Sequence, residues 1–595
     1  MINKKIKIFT KKNNLKLFLK KNKNFQGFYF DISNFKNVNE KIFNKANLRE
    51  AKLKKIYQNR EYLVKAYVNF ISSLSKKNNS KAWWCSEHTS RNRFTSNLSN
   101  ILISYIQCIK VIKKYDQSNL IIFIDDSNLK KYLENYLYPQ NSFILKFNNL
   151  FLNVRHVVKL IIGFFRLFYR SLIIKLILRK LILNEKNENY LIKSHFYNSS
   201  IIPNHRYRDS FFNDLPNYFS KDSSTLYLVH IQENLFESLT SIKNITDTKI
   251  YPFEYFLNLK DIFLTLMEIF LQKNFNFSKA QLFDVDVSLI LEKEYKLKPV
   301  SIGHLSIFHS VKNLSKLYKF KKTFLTYENI AWESSYIQGF KIFSPKTKII
   351  GYQHTVVPQA SLGMFIGKDE AKLKPLPHKI ITTGVATKKI IKRYSNHNQS
   401  NVFAGCALRY PELYNEKVKK KFRKKIKNVL VALEGIPESS RLIDLIASQK
   451  ASLNKYNITI RTHKVLPWDK LKTFIRAKRE DIELFKISKN VELMDDLKSS
   501  DVCIYWGSTV CIEALSIGLP IINFNKNDIF SYDPLFQCNN LKWSLSEKEL
   551  LINIIDNINN LDNESLEFEK KKAMKYIQNY LTKIDSNKMR VFTDA

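Results

Sequence analysis

The sequence predicts an α/β protein built on two doubly wound sheets. Three observations carry that expectation. Short apolar runs recur along the chain, each followed by a polar turn and then by helix-like spacing of apolar residues, as strand–loop–helix units require. The runs are punctuated by Gly, Pro, Ser and Asn, as at Gly507-Ser508-Thr509 and Gly518-Leu519-Pro520. Finally, 595 residues exceed what one hydrophobic core accommodates, so two or three domains are expected.

Composition narrows the class further. Hydrophobic residues make up 45% and aromatic residues 13% of the chain, ample for cores. The formal net charge is +44, mostly from Lys spread along the whole length beside heavy Asn and Ile usage and only 12 Gly. That pattern fits an AT-rich coding bias as well as selection for a polyanion. Either way it favours anionic partners: nucleic acid, acidic lipid or phosphorylated substrates. No nucleic-acid motif stands out and the basic residues are dispersed, so specific nucleic-acid binding is not expected. Six Cys form no CxxC pair and no His/Cys cluster, pointing to a reducing compartment and away from structural zinc. The basic N-terminus lacks an uninterrupted apolar core, so no secretory signal is expected.

Residues 1–80 read as a basic, mostly helical region. Ala82–Cys85 reads as a strand, and Thr89-Ser90-Arg91-Asn92 as a polar turn entering a helix from Ser96 to Lys113. Asn119–Ile124 is a clear strand ending in Asp125-Asp126, where a helix cap is the better expectation than a substrate contact. The segment 147–183 contains no acidic residue, and Arg155, Lys159, Arg166, Arg170, Lys175, Arg179 and Lys180 punctuate it at helical intervals. Its charges recur too often for a spanning helix and suit the membrane–water interface. A pair of core helices with solvated basic edges is the alternative.

A first sheet domain is expected over 81–378. A strand near Leu191 leads to a polar loop holding His195, Tyr207, Arg208 and Asp209, candidate acceptor contacts. Thr323–Tyr327 reads as a strand followed by Glu328 and Glu333, and Lys348–His354 as a strand ending in His354. A carboxylate and a His converging at one sheet edge supply a general base for a hydroxyl. Helix capping for Glu328 and a satisfied loop role for His354 are the plainer readings.

Residues 379–427 read as connecting strands and a basic linker, and 428–595 as a second sheet domain. Three of its strand ends carry polar residues: Glu434, Gly435 and Ser439; Arg461, His463 and Lys464; Ser508, Thr509 and Glu513. Small hydroxylated turns opening helices suit a phosphate, and Glu513, one helical turn deeper, suits ribose hydroxyls. An ordinary crossover with Gly and Pro as punctuation is the plainer reading.

Tyr-Glu-Asn…Trp-Glu (327–333), Gly-Tyr-Gln-His (351–354) and Gly-Ser-Thr…Glu-Ala-Leu…Gly-Leu-Pro (507–520) look like bacterial surface-carbohydrate biosynthesis proteins. From about 191 to 535 the chain resembles the GT-B glycosyltransferases, including capsule sugar transferases and teichoic-acid-type polymerases. The resemblance implies two Rossmann-like domains facing across a cleft, with a nucleotide-activated sugar in the C-terminal one. A polysaccharide or lipid-linked acceptor would occupy the N-terminal one. It assigns Ser508, Thr509 and Glu513 to phosphate and ribose, and Arg461 and His463 to the donor phosphates. Arg-Thr-His-Lys (461–464) matches an Arg-Pro-His-Pro segment only in part, since both prolines are missing, which leaves the donor nucleotide open. The expectation is an inverting, metal-independent, cofactor-free transferase, cytoplasmic and peripheral on an anionic membrane surface. Glu328, Glu333 or His354 would be its base. A glycerophosphotransferase with a CDP donor is the enzymatic alternative, and a non-enzymatic polyanion-binding protein the other.

Overall fold

The computed structural model describes residues 6–32, 36–53, 59–138, 142–178, 190–219, 224–272, 275–414, 425–483, 485–526 and 528–594. Leu-, Ile- and Val-rich strands, buried along nearly their whole length, form two all-parallel sheets with helices on their faces. In the larger sheet Tyr190–Phe196 lies between Thr225–Ile231 and Lys322–Thr326. Lys249–Pro252 closes one edge, and Lys348–Gln353, Lys379–Thr382 and Val402–Ala404 extend the other. Numbered along the chain, its order is 3-2-1-4-5-6-7. The second sheet sets Asn428–Ala432 between Asn457–Arg461 and Val502–Tyr505, with Lys486–Ile487, Ile521–Asn525 and Lys542–Ser546 outside them. Its order is 3-2-1-4-5-6, that of the Rossmann fold. Two Rossmann-like units are therefore present, as expected.

The N-terminal region departs from expectation. A third parallel sheet, ordered Ile6–Phe9, Leu120–Phe123, Phe28–Asp31, Arg49–Glu50, occupies part of the stretch read as mostly helical. Its strands are two to four residues long and depend on Leu120–Phe123, more than a hundred residues from Ile6. Local periodicity carries no trace of such a pairing. The strand expected over Ala82–Cys85 is a single helical turn, Lys81–Trp84. Ser80 caps it by accepting from the Trp83 N–H at 3.1 Å, and each indole finds its own acceptor, Ser75 Oγ or Asn79 Oδ1. Capping and two satisfied indoles outweigh the β-propensity of adjacent aromatics. Asp126 caps the helix Ser127–Leu137, as expected.

Domain limits shift as well. The strands Lys379–Thr382 and Val402–Ala404 complete the first sheet rather than connecting two domains. The C-terminal helix Ser586–Thr593 also returns to that sheet. There Phe592 lies 5.5 Å from Tyr352 and Met589 Sδ 3.7 Å from Cys406 Sγ. Part of the basic run expected as a linker, 415–424, and Arg179 and Lys180 of the basic apolar segment lie outside the described residues.

A buried ion pair locks the N-terminal region onto the first sheet domain. Arg91, held at φ 47°, donates from Nη1 to Glu370 Oε1 at 2.9 Å, from Nε to Leu362 O and from Nη2 to Phe365 O. Both side chains are fully buried. Nearby, Ser72 Oγ accepts the N–H groups of Asp369 and Glu370, and Gly363 sits so close to Ser90 O that a Cβ would approach it to 2.6 Å. Arg91→Met removes the cation bonded to Glu370, leaving its buried carboxylate only the Gly367 N–H and the neighbouring Lys374, and is expected to destabilise the fold by about 3 kcal/mol. A companion Glu370→Met change is expected to restore most of that loss, measured as the midpoint shift of the first urea transition.

Candidate functional site

In each Rossmann-like sheet the strand order reverses between the first and fourth strands, and ligands bind at the C-terminal ends flanking such a reversal. In the first sheet those ends are His195 and Glu328; in the second they are Glu434 and Gly507. A cleft of about 1160 Å³ borders the second reversal point, lined by Glu434, Gly435, His463, Trp506 and the Gly507–Thr509 turn. Arg93, Asn97 and Asn100 line it from the N-terminal region, and Val356, two residues past His354, lines it from the first sheet.

On the first sheet, His354 Nε2 stands 3.9 Å from Glu328 Oε1, and Phe211 packs edge-on against the imidazole at 4.6 Å. Burial, reinforced by Arg409 and His195, drives the His354 pKa well below its usual range, so the ring is neutral at pH 7. Burial pushes Glu328 up, opposed by Thr355, Arg93 and Arg409. A basic carboxylate beside a neutral imidazole can accept a proton from a bound hydroxyl. Glu333 does a different job. Its carboxylate accepts the N–H of Glu328 at 3.0 Å and of Ile330 at 3.1 Å, which fixes the loop that presents Glu328. Expected among the candidate bases, Glu333 is here engaged by the backbone of the loop that carries Glu328.

His195 joins the His354 side. Gln232 bonds its Nδ1 at 2.8 Å, His230 stacks on it at 5.4 Å, and burial brings its pKa down to about 3. The other expected acceptor residues find their partners locally. Tyr207 donates to Asp209 at 3.0 Å, and Asp209 accepts the N–H groups of Phe211 and Phe212. Arg208 pairs with Asp214 at 2.6 Å and bonds Asn213. This loop is self-satisfied; like Glu328, His354, Glu513 and Arg409, none of the three borders the 1160 Å³ cleft.

On the second sheet, Glu434 reaches across the reversal point and accepts the Gly507 N–H, while Ser439 Oγ donates to its carbonyl at 3.1 Å. The Gly507 turn is thus set by a protein carboxylate. Gly507 itself admits no side chain, since a Cβ would lie 2.9 Å from that of Tyr532. Ser508, Thr509 and Glu513 follow on the helix Val510–Ser516, with Ser508 Oγ accepting the Val510 N–H at 3.3 Å. Burial raises Glu513 to about 7, against the pull of Arg409 and Arg461. His463 Nδ1 accepts the Val465 N–H at 3.1 Å, so the neutral ring carries its proton on Nε2 as a donor. Gly435 is needed beneath it, because a Cβ there would meet that nitrogen at 2.7 Å. Lys464 is exposed on the same rim. Arg461, expected on the donor phosphates, is largely consumed in bracing the chain. It pairs with Asp496 at 2.5 Å and donates to the carbonyls of Asn490, Val491 and Glu492.

Two cations unnoticed in the sequence connect the halves. Arg93 lies over the rings of Phe94 and Tyr532, feels Glu434 and Glu328, and has an Nη1 without a hydrogen-bond partner. Arg409 influences Glu328, His354 and Glu513 at once. The cleft floor adds Lys526, 3.5 Å over the Trp506 ring, and Asp528, which accepts the Trp506 indole N–H at 2.7 Å. Only the assembled fold brings these residues together. The one sequence hint was an arginine two places beyond the Arg91 turn.

No family model and no curated protein matches the chain. Among solved structures it is similar to a UDP-GlcNAc 2-epimerase from Neisseria meningitidis bound to UDP-GlcNAc. The identity there is 11%, the TM-score 0.40, and the match covers 68% of this chain and 98% of that one. A glycosyltransferase from Rickettsia africae gives 12%, 0.39, 68% and 96% for the same measures. A variant of the wall teichoic acid polymerase TagF gives 9%, 0.34, 73% and 96%. At scores this low, the fold stands on the strand pairings themselves.

A raised carboxylate makes the native state hold a proton that the unfolded state has lost. Between the unfolded value near 4.5 and the folded value of about 7 for Glu513, stability therefore falls as pH rises. Glu513→Gln removes that loss. The Tm of the variant is expected to match wild type near pH 4.5 and to exceed it at pH 8, as read by scanning calorimetry across that range.

Proposed function

We propose that the chain is a glycosyltransferase moving a sugar from a nucleotide-activated donor to a polysaccharide or lipid-linked acceptor. The observation that carries this reading is the pairing of two reversal points. Glu328 and His354 stand at one, Glu434 and the Gly507–Thr509 turn at the other, and Arg93 and Arg409 lie between them. The nucleotide would rest on the second sheet, with Glu513 toward ribose and His463 Nε2 and Lys464 toward the phosphates. Glu328 or His354 would take the proton of the acceptor hydroxyl as its oxygen bonds to the anomeric carbon. The bond from that carbon to the phosphate oxygen would break, and the nucleotide would leave as an anion stabilised by Arg409, Arg93 and His463. Attack from the side opposite the nucleotide makes the transfer inverting, and these cations supply the countercharge without a metal ion.

The donor is identified by the nucleotide that raises the Tm of the purified protein. UDP or CMP fits sugar transfer, a CDP preference favours glycerophosphate transfer, and no response to any of them overturns the reading. His354→Ala is expected to lower the turnover number by a factor of about 10²–10⁴ while leaving the nucleotide-induced shift unchanged. Unaltered turnover in both His354→Ala and Glu328→Gln would remove both from the role of base.

The same reading places the enzyme peripherally on an anionic membrane surface. The helix Ser142–Ile177 buries Leu160, Leu167 and Ile174, yet Val158, Ile162, Phe165, Tyr169 and Leu176 form an exposed stripe at helical spacing. Phe263 and Leu271 of the helix Leu259–Leu271, which packs against it, are also exposed. Arg155 and Arg166 are exposed beside this apolar face. No helix among the described residues is long and apolar enough to cross a membrane. Insertion of such a basic-edged face into the headgroup region supports attachment. Co-sedimentation with phosphatidylglycerol vesicles is expected for wild type and lost in Ile162→Glu/Phe165→Glu. Equal recovery of both proteins would refute attachment through this helix.

A further inference from the structure

The wall of the cleft opposite the nucleotide side belongs to neither Rossmann-like unit. The helix Leu98–Lys114 faces it with Asn97, Asn100, Ser104 and Gln107. These positions recur every three or four residues, so they form one stripe on a helix that buries Leu102, Ile103, Ile106 and Ile109 elsewhere. Gln107 is 4% exposed, lines the cleft, and its Nε2 has no hydrogen-bond partner. A buried amide left without an acceptor is costly, and here the space before it is the cleft. Phe94, at the helix entrance, is 73% exposed and lies on the same wall. The stripe spans ten residues, about 15 Å of helix axis at ~1.5 Å per residue. Within it Asn100 donates to Asn97 Oδ1 at 2.7 Å and bonds Tyr532 beside the Gly507 turn, and Asp125, just past the strand Leu120–Phe123, lines the same cleft.

The chemistry of this wall is specific. Although the chain carries 97 basic against 53 acidic residues, seven acidic and six basic side chains line the cleft. A neutral stripe of amides and a hydroxyl, with an aromatic ring at one end, pairs with alternating donors and acceptors and with an apolar ring face. It does not suit a polyanion. We propose that this track binds the acceptor as an uncharged oligosaccharide, its growing end beside Arg93, between Glu328 and Glu434, and its preceding sugars along Asn100, Ser104 and Gln107. The inference rests on the transferase reading and moves the acceptor from the Tyr207–Asp209 loop to the N-terminal sheet.

The test uses the full-length protein on a printed array of neutral and acidic bacterial oligosaccharides, with UDP, CMP and CDP thermal shifts measured in parallel. Wild type is expected to retain neutral glycans, and Phe94→Ala and Gln107→Leu each to weaken that binding by about tenfold with the nucleotide shift unchanged. Gln107→Leu removes an orphan amide and is expected to keep or raise the Tm, so lost binding cannot be ascribed to unfolding. Glycan binding that neither variant alters overturns the proposal, as does binding of acidic glycans only or of none. A nucleotide shift lost in these variants assigns the track to the donor and also overturns it. Absence of any nucleotide shift with glycan binding intact sinks the transferase reading and leaves the track standing.

Discussion

The site depends on the ion pair between Arg91 and Glu370. Two charges without solvent contact are costly unless every polar atom is satisfied, and the Arg91 guanidinium meets that condition with one carboxylate and two carbonyls. The pair joins a turn of the N-terminal region to the 362–370 loop of the first sheet domain. Its consequence is positional. Arg93 follows two residues later and is carried between Glu328 of one sheet and Glu434 of the other. The adjoining helix is thereby laid along the cleft. A third sheet that might have been an appendage instead becomes a wall of the site.

Burial, more than charge, sets the chemistry of the two reversal points. Glu328 and Glu513 are both pushed upward by desolvation, although Arg409 pulls each the other way, and His354 and His195 are held neutral. The large positive charge of the chain plays little part here, because it resides on dispersed surface lysines while the cleft is close to balanced. The excess positive charge is thus carried by the periphery rather than by the cleft.

Much of this was legible in the chain. Asn428–Ala432, Val502–Tyr505 and Lys348–Gln353 are apolar runs bounded by polar turns, so their strands and the residues at their ends follow from local pattern. Glu328, His354, Glu434 and the Gly507 turn stand at those ends. What local pattern could not convey was partnership. Arg461 sits where a phosphate ligand would be expected, yet Asp496 and three carbonyls claim it. Tyr207 and Asp209 satisfy each other. Arg93 gains meaning only through neighbours hundreds of residues away and Gln107 only through the cleft it lines, and the short strands Ile6–Phe9 and Phe28–Asp31 pair only through Leu120–Phe123, which lies between them.

The return of the C-terminus to the first sheet has a mechanical consequence. The chain passes between the two Rossmann-like units near Ala407 and again near Thr582, and the Ala407 N–H donates to Thr582 O at 2.9 Å. The two crossings are thus tied side by side. At another edge Arg60 donates to Asp528 O at 3.0 Å and Tyr67 meets Phe530 at 6.0 Å, joining the N-terminal helix Arg60–Asn78 to the second sheet domain. The second sheet domain is thereby held at two separate edges, by the paired crossings at Ala407 and Thr582 and by the Arg60 and Tyr67 contacts.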